Sequence, residues 1–125
     1  MIRLWLPYPP ATNNLFINVG KRRVRSKRYD AWIKAAWREI VRHMADLNLR
    51  PPMITGAYTA ILTAQRPDRR KRDVDGLIKP VLDLLVKAGV TPDDSLCERV
   101  TAQWAGRDPV KDAQIIVTLE AFDEG

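Results

Sequence analysis

Residues 56–89 read GAYTAILTAQRPDRRKRDVDGLIKPVLDLLVKAG, and they predict a strand, a charged loop and a helix in that order. Residues 56–64 alternate with the period of two that is typical of a half-buried strand. Residues 65–72 are polar and form the connection. Residues 74–88 have apolar side chains at helical spacing, and Gly89 is a favourable residue for ending a helix. The apolar side chains that we expect to face the core are Val74, Leu77, Ile78, Val81, Leu82 and Leu85.

The flanking segments predict further strands on both sides of this unit. Residues 2–6 are apolar and β-prone, which predicts a first strand. Residues 15–25 contain two short extended pieces around a glycine turn and predict a hairpin. Residues 98–104 and 114–121 predict the last two strands. The order β, hairpin, α, β, α, β, β predicts a single α/β domain over residues 1–125, a sandwich in which two main helices pack on a mixed sheet.

A long first helix, residues 27–47, is predicted after Ser26, which suits the N-cap position. The side chains that we expect on its buried face are Trp32, Ile33, Ala36, Trp37, Ile40, Val41 and Met44. Lys34, Arg38 and Arg42 follow one another at intervals of four on a second face. That stripe is either a solvated surface or a contact for a phosphate backbone, and the nearby acids favour the solvated surface.

The charge of the chain is its first functional signal. There are 21 lysine and arginine residues against 15 acidic ones, a net charge of +6. A domain this basic either binds polyanions, nucleic acid above all, or uses the charge for solubility alone. We find no signal peptide and no apolar stretch long enough to span a membrane. We therefore expect a cytoplasmic protein that makes no membrane contact.

Several other kinds of site are not predicted. The single cysteine, Cys97, excludes an internal disulfide, and with His43 as the only histidine neither a thiol–imidazole pair nor a zinc site is expected. The six glycines are scattered and form no phosphate-cradling loop, so we expect no nucleotide cofactor. Trp5 and Trp104 lie in strands, where we expect them to pack. Tyr8 and Phe16 are the better candidates for stacking on a base.

Two carboxylates and a lysine open the second helix. Asp73 and Asp75 are two residues apart, which puts their side chains on one side of extended or turn backbone but on diverging sides of a regular helix. We therefore expect Asp73 near the N-cap and Asp75 in the first turn. Lys79 follows four residues later and stands one turn up the same face. An Asp–Lys stripe is thereby separated from the apolar stripe that faces the core.

These residue types suit the hydrolysis of a phosphodiester. Mg²⁺ binds one or two carboxylates together with waters and substrate phosphate oxygens, and two such ions stabilise both the attacking and the leaving oxygen. Asp73, Asp75 and one carboxylate of the pair Asp93-Asp94 would hold the metal, and Lys79 would orient the water or stabilise charge at phosphorus. The cations that would hold the nucleic-acid backbone beside it are Arg69, Arg70, Lys71 and Arg72.

The same residues also have purely structural interpretations. An aspartate at a helix start caps free N–H groups and suits the helix dipole. Lys79 is at the right spacing to pair with Asp75, while Asp93 and Asp94 are common turn residues. The run of cations suits a solvated loop. The presence of cations, paired aspartates, a lysine and a second acidic pair in one short segment strengthens the case for a metal-dependent nuclease, and both interpretations stay open from these residues alone.

Together these motifs resemble those of the RusA family of Holliday-junction resolvases. The residues that carry the resemblance begin with the basic run from Arg66 and continue through Asp-Val-Asp-x-Leu-x-Lys at 73–79. Asp83, Lys87-Ala88-Gly89 and Asp93-Asp94 then follow in the same order. The opening Leu6-Pro7-x-Pro9-Pro10-x-Thr12-Asn13-Asn14 is similar to the N-terminus of that family. The resemblance extends over most of the chain.

The resemblance implies a homodimer that binds four-way DNA junctions and nicks two strands symmetrically. It implies dependence on Mg²⁺, for which Mn²⁺ can substitute. The family's first two carboxylates correspond to Asp73 and Asp75, its lysine to Lys79 and its third carboxylate to Asp94, beside which Asp93 would share metal or water. The turn residues Asn13 and Asn14 would contact DNA or the partner subunit.

Two positions depart from the expected pattern. The residue after the paired aspartates is often asparagine in the family, and here it is Gly76. Pro80 lies inside the predicted second helix and removes one backbone N–H. We therefore expect a kink or a local opening near Gly76.

The favoured function is a Mg²⁺-dependent endodeoxyribonuclease that resolves branched DNA. The alternative is a non-catalytic, structure-selective DNA-binding protein of phage or prophage origin, which would hold junctions without metal and would not cut them. A third interpretation is a basic structural protein of a phage particle, which would show no preference for junctions over duplex.

Overall fold

The computed structural model describes residues 1–122, so the end of the predicted domain, residues 123–125, lies outside the described part. The strands are β1 Ile2–Pro7, β2 Phe16–Val19, β3 Arg22–Arg25, β4 Tyr58–Arg66, β5 Cys97–Pro109 and β6 Gln114–Ala121. The helices are α1 Lys27–Asp46 and α2 Ile78–Lys87. Short 3₁₀ turns lie at Thr12–Asn14, Val74–Leu77 and Asp94–Leu96. The predicted α/β class and the order of the elements are confirmed.

The main sheet is mixed, with the strand order β1-β6-β4-β5, while β2 and β3 form a separate hairpin. β4 is parallel to β5 and antiparallel to β6. Parallel neighbours require the chain to return along the sheet before the second strand begins, and α2 makes that return. The loop before α2 therefore lies at the C-terminal end of β4, and the turn after α2 lies at its N-terminal end.

One face of the sheet is buried beneath the helices and the other is open. In β4, Tyr58, Ala60 and Leu62 are fully buried, whereas Ile61 is 41 % exposed. Trp5, which we expected to pack, is exposed because the alternation of β1 puts it on the open face. Among residues 1–122, neither helix combines the length and the apolar content needed to cross a membrane.

α1 begins at the predicted N-cap, where Ser26 Oγ accepts the Tyr29 N–H at 3.1 Å. Its buried residues are Tyr29, Trp32, Ile33, Ala36, Ile40 and Met44. The prediction that Trp37 and Val41 belong to this face is wrong, because both side chains are exposed. They lie at the edge of the helical arc that the sheet covers, so a pattern of apolar spacing alone includes them.

The start of the second helix differs from the prediction. Residues Val74–Leu77 form a 3₁₀ turn, and α2 begins only at Ile78. Pro80 is the third residue of α2, where an N–H has no acceptor within the helix in any case, so the proline is accommodated without breaking it. The irregularity that we expected near Gly76 is this 3₁₀ turn. Gly89 has a φ of +76° just after the helix, as its position predicted.

The two faces of β4 give a stability test with its own control. Leu62→Ala should lower the free energy of unfolding by about 3 kcal/mol, because a fully buried leucine leaves a cavity in the core. Ile61→Ala, one residue away on the open face, should cost less than about 1 kcal/mol. Urea unfolding measures both. Equal losses in the two variants would contradict the one-sided burial of the sheet.

Candidate active site

A cavity of about 510 Å³ opens at the C-terminal end of β4. One wall is the N-terminal loop, with Tyr8, Thr12, Asn13 and Asn14, and the other is the loop before α2, with Arg70, Lys71, Arg72, Asp73 and Gly76. Segments that are distant in sequence therefore meet around one space. The two asparagines, most of the predicted basic loop and the first aspartate share this cavity.

The two walls of the cavity are in contact at Gly76. Thr12 Oγ1 donates a hydrogen bond to the Gly76 carbonyl at 3.4 Å. A Cβ at position 76 would collide with the same Thr12 Oγ1. The N-terminal wall is fixed in turn at its far end, where Ser26 Oγ donates to the Asn14 carbonyl at 2.6 Å. The close approach of Thr12 therefore leaves little room at position 76 for the asparagine that is often found there in the RusA family.

The predicted phosphate contact Arg72 has a structural role inside the loop. Its Nε and Nη2 donate to the two carboxylate oxygens of Asp68 at 3.0 and 2.7 Å. Its guanidinium carbon lies 5.8 Å from the centre of the Tyr8 ring. The hydrogen bond from Arg72 lowers the pKa of Asp68 to about 2. Arg72 thus braces the loop against the N-terminal wall.

The other three cations of the loop are more available. Arg69 Nη1 is 3.9 Å from Asp108 Oδ1, and both side chains are almost fully exposed, so this ion pair is weak. Arg70 and Lys71 are exposed and make no ion pair with any residue between 1 and 122. Arg70 and Lys71 are therefore the cations of the cavity that are available to bind an anion.

A stack of aromatic and cationic side chains begins at Tyr8 in the cavity wall and continues through Trp104 to Arg66. The Tyr8 and Trp104 rings are nearly parallel, with centroids 6.5 Å apart. The Arg66 guanidinium carbon lies 4.4 Å from the centre of the Trp104 ring. Burial raises the pKa of Tyr8, and the nearby Arg72 partly opposes that rise. The pairing of Tyr8 with Trp104 had no local signal in the sequence, since nearly the whole chain separates the two residues.

The paired aspartates are not engaged in local structure. Asp73 occupies the N-cap position of the 3₁₀ turn, but its side chain makes no capping hydrogen bond. Asp75 lies in that turn, and both side chains are exposed. Neither carboxylate forms a side-chain hydrogen bond or an ion pair with any of residues 1–122, so both are available as ligands. Lys79 Nζ lies 3.5 Å from Asp83 Oδ2, so Lys79 pairs along α2 and not with Asp75.

The second acidic pair lies elsewhere in the chain. Asp93 Oδ1 accepts the Ser95 N–H at 3.0 Å and caps the turn that leads into β5. This hydrogen bond is the main cause of the lowered pKa of Asp93. Asp94 is exposed next to the start of β5, whose first residue pairs with Tyr58 at the N-terminal end of β4.

The acidic groups are therefore divided between the two ends of the sheet. The ten residues of α2 separate Asp94 from Asp75 by about 15 Å of helix. Within residues 1–122, no three carboxylate, histidine or cysteine side chains lie together in an arrangement that could hold a metal ion. Asp73 and Asp75 still suit Mg²⁺, which needs only one or two protein carboxylates when waters and phosphate oxygens complete its shell. The predicted set fits the ion in part, because Asp94 of the same chain does not reach it.

The fold and this cavity define a small, basic α/β protein in which the cations Arg70 and Lys71 and the carboxylate of Asp73 share one opening, with Asp75 two residues further along. The chain belongs to the endodeoxyribonuclease RusA family, whose model matches residues 7–120. It is 33% identical over 90 residues to the crossover junction endodeoxyribonuclease RusA of Shigella sonnei (strain Ss046) and of Escherichia coli (strain K12). The match covers 72% of this chain and 71% of each of those proteins. The protein of the same name from Enterobacteria phage 82 is similar to the same degree, and the resemblance recognised from the motifs is thereby confirmed.

The Asp68–Arg72 pair makes stability depend on acid pH. Because the folded pKa of Asp68 is lowered from 3.8 to about 2, its stabilising contribution is complete above about pH 5 and is lost as the pH falls towards 2. The difference in unfolding free energy between wild type and Asp68→Asn should therefore shrink from pH 5 to pH 2 in urea titrations. In an Arg72→Gln background the same substitution should lose most of this pH dependence. A difference that is constant with pH would contradict the pairing.

The contact between Thr12 and Gly76 predicts coupled substitutions. Gly76→Ala should destabilise the chain by up to about 1 kcal/mol, because the exposed Thr12 side chain must rotate away and give up its hydrogen bond to the Gly76 carbonyl. In a Thr12→Ala background, where the obstructing oxygen is gone, the same change should cost little. A double-mutant cycle by urea unfolding measures the coupling. Additive effects would mean that the two walls are independent.

Proposed function

We propose that this chain is a metal-dependent endodeoxyribonuclease that resolves four-way DNA junctions by paired, symmetric nicks. Its relatives are named crossover junction endodeoxyribonucleases. The observation that carries the proposal is the cavity at the end of β4, where the exposed Arg70 and Lys71 lie beside the unpaired carboxylate of Asp73. Cations attract the phosphate backbone, and carboxylates beside it hold the cation that hydrolysis requires. We place this activity in the cytoplasm of a bacterial or phage-infected cell.

The proposed DNA contacts divide into direct and supporting ones. Arg70 and Lys71, with the weakly paired Arg69, contact phosphates at the mouth of the cavity. Asn13 and Asn14 on the opposite wall donate hydrogen bonds to the same strand. Phosphate contacts position a duplex without reading its bases, which suits an enzyme that selects shape. Arg72 acts on DNA indirectly, since its bond to Asp68 holds the loop.

The proposed cofactor is Mg²⁺, for which Mn²⁺ can substitute, and no nucleotide cofactor takes part. Asp73 and Asp75 would hold it, because their oxygens are hard donors without other partners among residues 1–122. When bound, the ion lowers the pKa of a water and neutralises charge on the phosphate. Lys79 stands on the first turn of α2 with its side chain largely exposed. It would leave Asp83 to stabilise the negative charge that grows on the phosphate.

The distance between the acidic groups supports a homodimer. Asp94 of one chain cannot join Asp73 and Asp75 of the same chain across the length of α2. In a two-fold dimer, Asp94 of the partner subunit would complete each set of ligands, and symmetry would give two equal sites for two symmetric nicks. Asp93 would hold the turn in place through its cap and share the water or the metal.

The non-catalytic DNA-binding protein is the weaker alternative. It would use the same cations, but exposed aspartates next to phosphate contacts repel DNA and have no purpose in a protein that only binds. A structural role for Asp73 and Asp75 would require that they cap the turn or pair with the cations of the loop. Neither makes such a bond with residues 1–122, and this favours catalysis.

A nicking assay on a synthetic four-way junction tests the enzyme. Asp75→Asn should reduce nicking in Mg²⁺ by at least about a hundredfold, because one metal ligand loses its charge, while junction binding in EDTA persists. Asp112→Asn is the matched control: Asp112 is exposed in the turn between β5 and β6, outside the cavity, and its φ of +55° suits asparagine. Wild-type protein that binds junctions but cuts none with any divalent metal would establish the non-catalytic alternative.

Mixing two inactive variants tests the shared site. When Asp75→Asn and Asp94→Asn proteins exchange subunits, a mixed dimer keeps one site with both groups intact if the site is built across the two subunits. Nicking should then return to about a quarter of the wild-type rate, as single nicks, by the statistics of a two-fold dimer. If the carboxylates of one chain act together, every site in the mixture lacks one of them and no activity returns.

A further inference from the structure

The β2–β3 hairpin, residues 16–25, stands apart from the main sheet. Its two strands pair with each other and with no other strand. A two-residue turn joins them, and Gly20 takes a φ of +63° there, which suits a tight hairpin. The main contacts of the hairpin with the rest of the chain are made at its base. It is an arm that extends from the N-terminal wall of the cavity.

The strand register divides the arm into two faces. Residues directly opposite in a hairpin share a face, so the pairs Phe16–Arg25 and Asn18–Arg23 belong to one face and the pairs Ile17–Val24 and Val19–Arg22 to the other. The first we call the inner face and the second the outer face. The two faces differ in composition and also in which parts of the chain they contact.

The inner face is anchored to the first helix. The Phe16 ring packs edge-on against Tyr29, with centroids 5.6 Å apart. Arg25 Nε donates to Asp30 Oδ1 at 2.9 Å. The Arg23 guanidinium carbon lies 4.6 Å from the centre of the same Phe16 ring. These contacts fix the direction in which the arm extends, so the outer face has a fixed orientation as well.

The outer face is mainly apolar, with Arg22 as its one cation, and most of it is exposed. Ile17 is 50% exposed and Val19 is 56% exposed, and Val24 is half-buried beside them. Isolated exposed apolar residues are ordinary, but here they share one face of an arm that carries four cations, Lys21, Arg22, Arg23 and Arg25. A surface of this composition is suited to a partner that is strongly negative and also offers apolar area.

Branched DNA has both properties at one place. Its backbone is negative throughout, and base pairs at a branch point expose faces that are stacked in a continuous duplex. Proteins that insert apolar side chains next to stacked bases in DNA commonly flank them with cations. A second copy of this chain suits the arm less well, since an isologous contact through the outer face would bring Arg22, with Lys21 in the turn beside it, against the same two cations.

We propose that the outer face of the hairpin is a wedge that packs Ile17 and Val19 against the exposed base pairs at the branch point. The inference rests on the proposed function, and it assigns the preference for branched over continuous DNA to this arm. The cations of the arm hold the adjoining phosphates and act on any DNA. Ile17 and Val19 contribute to binding only where base faces are exposed, because in a continuous duplex the neighbouring base pairs already cover those faces.

Binding measured in EDTA, over a series of salt concentrations that is the same for every variant, separates the two contributions. Ile17→Ser with Val19→Ser should weaken binding to a four-way junction by about tenfold or more and leave binding to a duplex of the same arm sequence nearly unchanged. Lys21→Gln with Arg22→Gln should weaken both complexes equally and reduce the salt slope by about 2. Val41→Ser is the control, since Val41 is as exposed as Ile17 but lies on α1.

A 2-aminopurine base at the branch point reports on the contact directly. Its fluorescence should change when the wild-type protein binds, and this change should be lost in the Ile17/Val19 variant at saturating protein. Unaltered junction preference in that variant would overturn the proposal, and so would its dissociation into monomers in sedimentation, which would assign the face to a second copy. Wild-type protein without any junction preference would instead refute the proposed function itself.

Discussion

The parallel pairing of β4 with β5 is the constraint on which the rest of this structure depends. It obliges the chain to return the length of the sheet between the two strands, and α2 provides the return. The positions of the charged groups follow from this return. The basic loop and the paired aspartates lie at one end of β4, and Asp93-Asp94 lie at the other. An antiparallel pair would have allowed a short hairpin connection and would have kept all four carboxylates together.

The sequence predicts the fold well because its strongest signals are local. The alternation in residues 56–64, the Ser26 cap and the glycine at position 89 each depend on neighbours within one turn or strand. The errors arise where burial is decided by partners far along the chain. Trp5 is exposed because its side of the sheet carries no helix, and Trp37 because the sheet is narrower than the apolar arc of α1.

The candidate site was predictable in its residue types but not in its geometry. Asp73, Asp75 and the basic loop could be selected as candidates because several motifs converge in one short segment and resemble those of the RusA family. The sequence could not show that Arg72 is held by Asp68 and Tyr8, since a cation run looks the same whether its members are paired or free. The separation of Asp94 from Asp75 does follow from the sequence, since the predicted helix over residues 74–88 lies between them; the expected ligand set grouped these carboxylates by chemistry and resemblance and left that length out.

The coupling between Thr12 and Gly76 shows how the two walls of the cavity depend on each other. An asparagine at position 76 would add a side chain where the Thr12 hydroxyl now lies, so the glycine and the close approach of the N-terminal loop require each other. That loop carries Asn13 and Asn14 into the cavity and continues directly into the hairpin arm. The contact between Thr12 and Gly76 therefore acts together with the Ser26–Asn14 hydrogen bond and the packing of Arg72 on Tyr8 to position the paired aspartates, the opposing asparagines and the arm.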